Sequence, residues 1–175
     1  MQFFSDAIGI VFDFLEMGGP VLLLIGGLLF LMWGLIFERI FYFSTDLKRD
    51  LQAVIDQWEA RSERRSWQAR QIRRALISES VIKINRNMAL IKTLVALAPL
   101  MGLLGTVTGM IEVFNIMAVT GGGDAKSMAG GVSRATVPTM AGMVAALSGV
   151  FAQAYLSRVV ESESALLEDH LTSDH

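Results

Sequence analysis

Three stretches of this chain run for roughly a membrane's thickness of helix without one charged side chain. Gly18 to Phe37 is 20 uncharged residues, Thr93 to Ile111 is 19, and Ala135 to Ser157 is 23. A helix rises about 1.5 Å per residue, so about 20 residues cross the hydrocarbon core, and each run is long enough. Core helices of that length in soluble proteins show a polar stripe, and these runs do not. The chain is 53% apolar and 18% charged, averages that suit neither a soluble domain nor a continuous membrane bundle. Their segregation into blocks predicts an all-α integral membrane protein with three transmembrane helices and long helical extensions on one side.

The charge layout predicts which side. No Lys or Arg precedes Arg39, twelve of the fifteen fall between Arg39 and Lys92, and Lys126 alone lies in the loop that joins the second and third runs. Cationic loops stay in the cytoplasm, so the N-terminus is expected outside and the C-terminus inside. The predicted organisation is a periplasmic amphipathic helix over residues 1–17 and a first span over 18–43. A cytoplasmic helical segment covers 44–91, a second span 92–119 and a periplasmic Gly-rich turn 120–130. The third span is 131–158 and a cytoplasmic acidic tail is 159–175. The opening residues lack the basic start of a cleavable signal, and the apolar run after them is too long for one. With no cysteine, and with His170 and His175 in the tail without partners at ligand spacing, neither thiol chemistry, a metal nor another cofactor is expected.

Residues 2–16 alternate as an amphipathic helix. Gln2, Ser5, Asp6, Gly9, Asp13 and Glu16 share one face, with Phe3, Phe4, Ile8, Val11, Phe12 and Leu15 opposite, a pattern for lying on the membrane surface. Gly18-Gly19-Pro20 breaks it, and Phe37, Phe41, Tyr42 and Phe43 close the first span with interfacial rings. The segment around "EARSERRSWQARQIRRAL" mixes both signs beside a bilayer, which favours anionic lipid headgroups over nucleic acid. Ile77, Val81, Ile84, Met88, Ile91 and Val95 recur at 4-3-4-3-4 spacing, a seam expected to run unbroken into the second span and to pack there, in one chain or between copies. "TGGGDAKSMAGG" resembles a phosphate loop, but Ala125 stands where such a loop needs glycine, so a flexible turn is expected. The tail reads as a continuation of the third helix that frays at its end.

Polar and small residues concentrate in the second and third spans. Gly102, Gly105 and Gly109 share a helical face, and Thr139, Gly142, Ala146, Gly149 and Gln153 form a second stripe; both permit close helix approach. Thr106, Thr108 and Thr136 add hydroxyls, which in membranes often serve their own backbone. Pro138 removes a helical hydrogen bond and kinks the helix, leaving a carbonyl to be hydrated. Glu112 and Arg134 are the formal charges of these stretches. An unpaired charge at depth costs at least about 2.5 kcal/mol, so an ion pair within or between chains is expected, with snorkelling of Arg134 to headgroups as the rival.

At "APLMGLLGTVTGM", joined by a turn to "GGVSRATVPTMAGMVAALSGVF", the chain resembles the MotA/TolQ/ExbB family of proton-channel subunits. The resemblance is full over about residues 90 to 160 and looser elsewhere. Three spans with the N-terminus outside point to the ExbB/TolQ branch, most like a compact ExbB of an additional TonB system. The resemblance implies a multi-pass protein of the bacterial inner membrane and a homopentamer of long helices. Its pore would enclose an ExbD-like single-span partner, whose membrane aspartate carries protons and energises a TonB-like protein. Thr106 and Thr139 match the family's pore threonines, with Thr108 and Thr136 beside them. Arg134 is a departure, because many ExbB proteins carry a glutamate in that span, and Glu112 stands where a neutral polar residue is usual. A TolQ-like role in envelope maintenance and a non-conducting membrane scaffold are the other readings. No nucleophile–base pair or metal cluster suggests an enzyme.

Overall fold

The computed structural model describes residues 2–61, 63, 66–120 and 125–171. Five helices follow in order: α1 (Gln2–Thr45), α2 (Leu47–Glu59), α3 (Trp67–Asn85), α4 (Met88–Thr120) and α5 (Ala125–His170). Among the described residues there is no strand. Three stretches are long and apolar enough to cross a membrane: Gly18–Thr45, Trp67–Val119 and Met128–His170. The second of them runs through the α3–α4 junction. The protein is all-α, with three membrane-competent helices.

Two compact units are distinguished, Met1–Trp33 with Thr93–Val150, and Gly34–Lys92 with Phe151–His175. In the first, α1 leaves helical geometry at Gly19 (φ 63°, ψ −163°). Only glycine takes that conformation without strain, and Pro20, lacking an N–H, restarts the helix. Val21, Leu22 and Ile25 then bury one face against Met101, Val137 and Ala141. Large apolar side chains such as Phe30 (80% exposed) and Val119 (87%) point outwards. That arrangement suits helices whose solvent is lipid. The amphipathic pattern over residues 2–16 rests on side chains outside those described.

The second unit has a water-soluble protein's core. Leu47, Leu51, Val54, Ile55 and Trp58 line one face of α2 at helical spacing. Trp58 is buried with Ala69, Leu167 and Leu171, and Leu76 and Ile77 of α3 pack around them. Ser66 caps α3, its hydroxyl accepting the Ala69 N–H at 3.1 Å. Arg73 donates to the carbonyls of Glu168 (3.1 Å) and Leu171, meeting acceptors that the end of α5 leaves open.

Two expectations require correction. The apolar seam does not run unbroken: α3 ends at Asn85, and Asn87 is left-handed (φ 63°) before α4 begins. Asparagine tolerates that geometry, and side chains from α1 hold it. Arg39, 2% exposed, donates to the Lys83 carbonyl at 3.3 Å and pairs with Glu38 at 2.9 Å. Glu38 also accepts from the Asn87 amide at 3.4 Å. Secondly, α5 begins at Ala125, so residues 125–130 of the expected turn are helical. Close packing begins one residue later: a methyl on Gly131 would lie 2.5 Å from Val113, whereas Gly130 faces open space. Residues 121–124 of that turn, and residues 172–175 with His175, where the tail was expected to fray, lie outside the described residues.

Candidate functional site: a threonine pair between close-packed helices

Within the first unit, α4 and α5 meet where side chains are missing. A methyl on Gly102 would lie 3.0 Å from the Pro138 carbonyl oxygen and 3.0 Å from the Thr139 Cα. On Gly142 it would meet the Ala98 carbonyl oxygen at 2.6 Å and the Gly102 Cα at 3.0 Å. Gly105 faces the buried ring of Pro138, and Gly109 faces Ala135, whose Cβ would be 2.8 Å away. Gly149 is filled from α1 and α4, by Met32 and Val95. Ala146, in the same stripe, is half-buried. Lipid gives no hydrophobic drive for helices to associate, so such backbone contact supplies the dispersion energy that larger side chains would prevent.

This approach brings two hydroxyls together. The Thr139 hydroxyl donates to the Gly102 carbonyl at 2.9 Å and also contacts the Thr106 hydroxyl. A hydroxyl has one proton. With that of Thr139 given to Gly102, the Thr106 proton goes to the Thr139 oxygen, and the half-buried Thr106 oxygen keeps acceptor capacity for an incoming donor. Thr108 and Thr136 are different. The Thr108 hydroxyl donates to the carbonyls of Leu104 (2.9 Å) and Gly105 (3.1 Å), and that of Thr136 to Ser133 (2.7 Å). Both are exposed and serve their own helices.

Family comparison fits this helix pair. The model of the MotA/TolQ/ExbB proton channel family matches residues 43–169. The chain belongs to that family. A Synechocystis sp. protein named as the biopolymer transport protein ExbB-like 1 is 42% identical over 76 residues, which are 42% of this chain and 30% of that relative. ExbB of Xanthomonas campestris pv. campestris is 37% identical over 93 residues, 53% of this chain and 36% of the relative. ExbB of Helicobacter pylori is 35% identical over 77 residues, 44% of this chain and 53% of the relative. The chain thus spans between 30% and 53% of these relatives' lengths. As an ExbB-like family member with three apolar stretches, it is a multi-pass inner-membrane protein. Its family is one of proton channels, not of classical enzymes.

Glu112 and Arg134 line one cavity but form no ion pair; among the described residues such pairs join Arg39 to Glu38, Arg49 to Asp46 and Lys83 to Glu79. The expected pairing within one chain is therefore not formed. Their side chains are exposed at α4 and α5 positions that leave the cavity between them. Sequence reasoning did not see that Gly18 and Gly19 form another wall of it. The Gly-Gly-Pro triplet is the available signal, and along the sequence it marks only a helix break. Nor did it find Met32 and Val21 of α1 filling the glycine faces of α5 and α4, because their run has no polar periodicity to orient it.

Proposed function

We propose that this chain is an ExbB-type subunit of a proton-driven inner-membrane motor that energises a TonB-like protein for outer-membrane uptake. The observation that carries this reading is the Thr106–Thr139 hydroxyl pair, set where α4 and α5 are in backbone contact in a member of this family. A protonated carboxyl group donates a hydrogen bond and a carboxylate only accepts one, so the free acceptor face of Thr106 favours the neutral form. An ExbD-like partner's membrane aspartate would be neutralised beside this pair, lose its desolvation penalty and allow the partner helix to shift. Bond chemistry is not required; coupling is. The assembly would be a homopentamer around the partner, N-terminus in the periplasm and C-terminus in the cytoplasm. Pore exposure of Thr106 and Thr139, with Thr108 and Thr136 nearby, belongs to the same proposal, as does a kink at Pro138.

Native mass spectrometry of the full chain coexpressed with its single-span partner tests the assembly. Five copies enclosing one or two partner chains are expected; a monomer or dimer indifferent to the partner contradicts it. Loss of growth on chelated iron after deletion supports a TonB-like client. Detergent sensitivity with normal iron uptake transfers the motor to an envelope-maintenance role of the TolQ kind.

A further inference from the structure

The Glu112–Arg134 cavity has a composition that the proton-motor reading does not use. It holds about 390 Å³ and is bounded by Gly18, Gly19 and Pro20 of α1, Glu112 of α4 and Arg134 of α5. Neither charge has a hydrogen-bond or ion-pair partner among the described residues. Glu112 lies eight residues before the end of α4 and Arg134 nine after the start of α5, about 12–14 Å along each helix. Both therefore stand at similar levels, beside Gly18, where the first membrane-competent stretch begins. A simple anion would satisfy Arg134 and be repelled by Glu112, and a simple cation would do the reverse. An occupant carrying both signs satisfies both.

The walls add to this. Pro138 has no N–H to give the Arg134 carbonyl, which remains an acceptor for an incoming ammonium. The Thr108 hydroxyl is committed to its own backbone and does not compete. Gly18 and Gly19 present backbone without side chains, and Val113 and Ile116 continue the lining as apolar surface for the start of an acyl chain. We propose that this cavity binds the head group of a zwitterionic phospholipid with a primary ammonium, its phosphate on the Arg134 guanidinium and its ammonium on Glu112.

The test is native mass spectrometry of the delipidated full-length protein, titrated with phosphatidylethanolamine, phosphatidylglycerol and phosphatidylcholine of matched chains. Wild type should retain phosphatidylethanolamine about tenfold more tightly than the other two, the scale of one charge-assisted hydrogen bond. Glu112→Gln should erase that preference while binding of phosphatidylglycerol persists, and Arg134→Gln should weaken all three lipids. Wild type that treats the three alike refutes the site whatever the variants do. So does a Glu112→Gln protein with its preference intact, or displacement of the lipid by soluble phosphoethanolamine at equal concentration, which would reassign the cavity to a small zwitterion. Normal assembly of the combined Glu112→Arg and Arg134→Glu variant, with no lipid preference in wild type, would instead mean that the two charges meet across copies.

Discussion

The two units of this chain solve the same problem, packing helices, by opposite means. Around Gly102 and Gly142 the contact is made by what is missing, so that backbone atoms of α4 and α5 touch. Around Trp58 it is made by bulk, with Leu167, Leu171, Leu51 and Val54 closing on an indole that is 1% exposed. Solvent explains the difference. Where water surrounds the helices, removing large apolar surface from it stabilises the fold. Where lipid does, a leucine gains little by leaving one apolar medium for another, and close approach matters more. Within one polypeptide, glycine is the core residue of one unit and tryptophan of the other.

Trp58→Ala is the largest test of that contrast. It should destabilise the second unit by about 3–5 kcal/mol, read as lost hydrogen-exchange protection in α2 and α3. The Gly102–Gly142 contact should keep its protection; equal loss at both would make the two units one cooperative body. The reciprocal variant, Gly142→Ala, should cost about 1–3 kcal/mol, because the added methyl meets the Ala98 carbonyl and not a side chain that can turn aside. Resistance to unfolding in mixed detergent micelles would report it, and a neutral result would remove the claim that missing side chains make this contact.

Asn87 sharpens the boundary between α3 and α4. Asn87→Ala should cost about 1–2 kcal/mol, because alanine lacks the short polar side chain that lets asparagine tolerate the left-handed region, and Asn87→Gly should retain near-wild-type thermal stability. Similar losses in both variants would shift the weight to the amide's bond with Glu38. The smallest effect belongs to the exposed Glu79–Lys83 pair at 3.3 Å, where Glu79→Gln should change stability by less than about 0.5 kcal/mol.

Much of this architecture is legible from the sequence because membrane crossing is written locally. Helical class and three apolar stretches follow from runs of uncharged residues, each readable without its neighbours. The α3–α4 break is not local. The 4-3-4 spacing of Ile77 through Val95 continues across Asn87 as if nothing happened, and what stabilises the break arrives from Glu38 and Arg39, which lie forty-nine and forty-four positions from their partners Asn87 and Lys83. The site divides in the same way. Thr106, Thr139 and the glycine faces are visible as residue types at helical spacing. That Thr139 donates to Gly102, or that Gly18 and Gly19 wall the cavity of Glu112 and Arg134, depends on which helices meet, and spacing along one helix does not carry that information.

The central claim is that the hydroxyl pair between α4 and α5 couples to protons. Its most direct measurement is proton flux in liposomes holding the full chain with the proposed single-span partner, compared among wild type, Thr139→Ser and Thr139→Val. Serine keeps the hydroxyl and should preserve flux; valine keeps the shape, removes the donor to Gly102 and the acceptor for Thr106, and should reduce flux at least about tenfold, the scale of a lost buried hydrogen bond. A Thr139→Val complex that assembles normally and conducts like wild type would contradict the claim and leave the pair as helix packing alone.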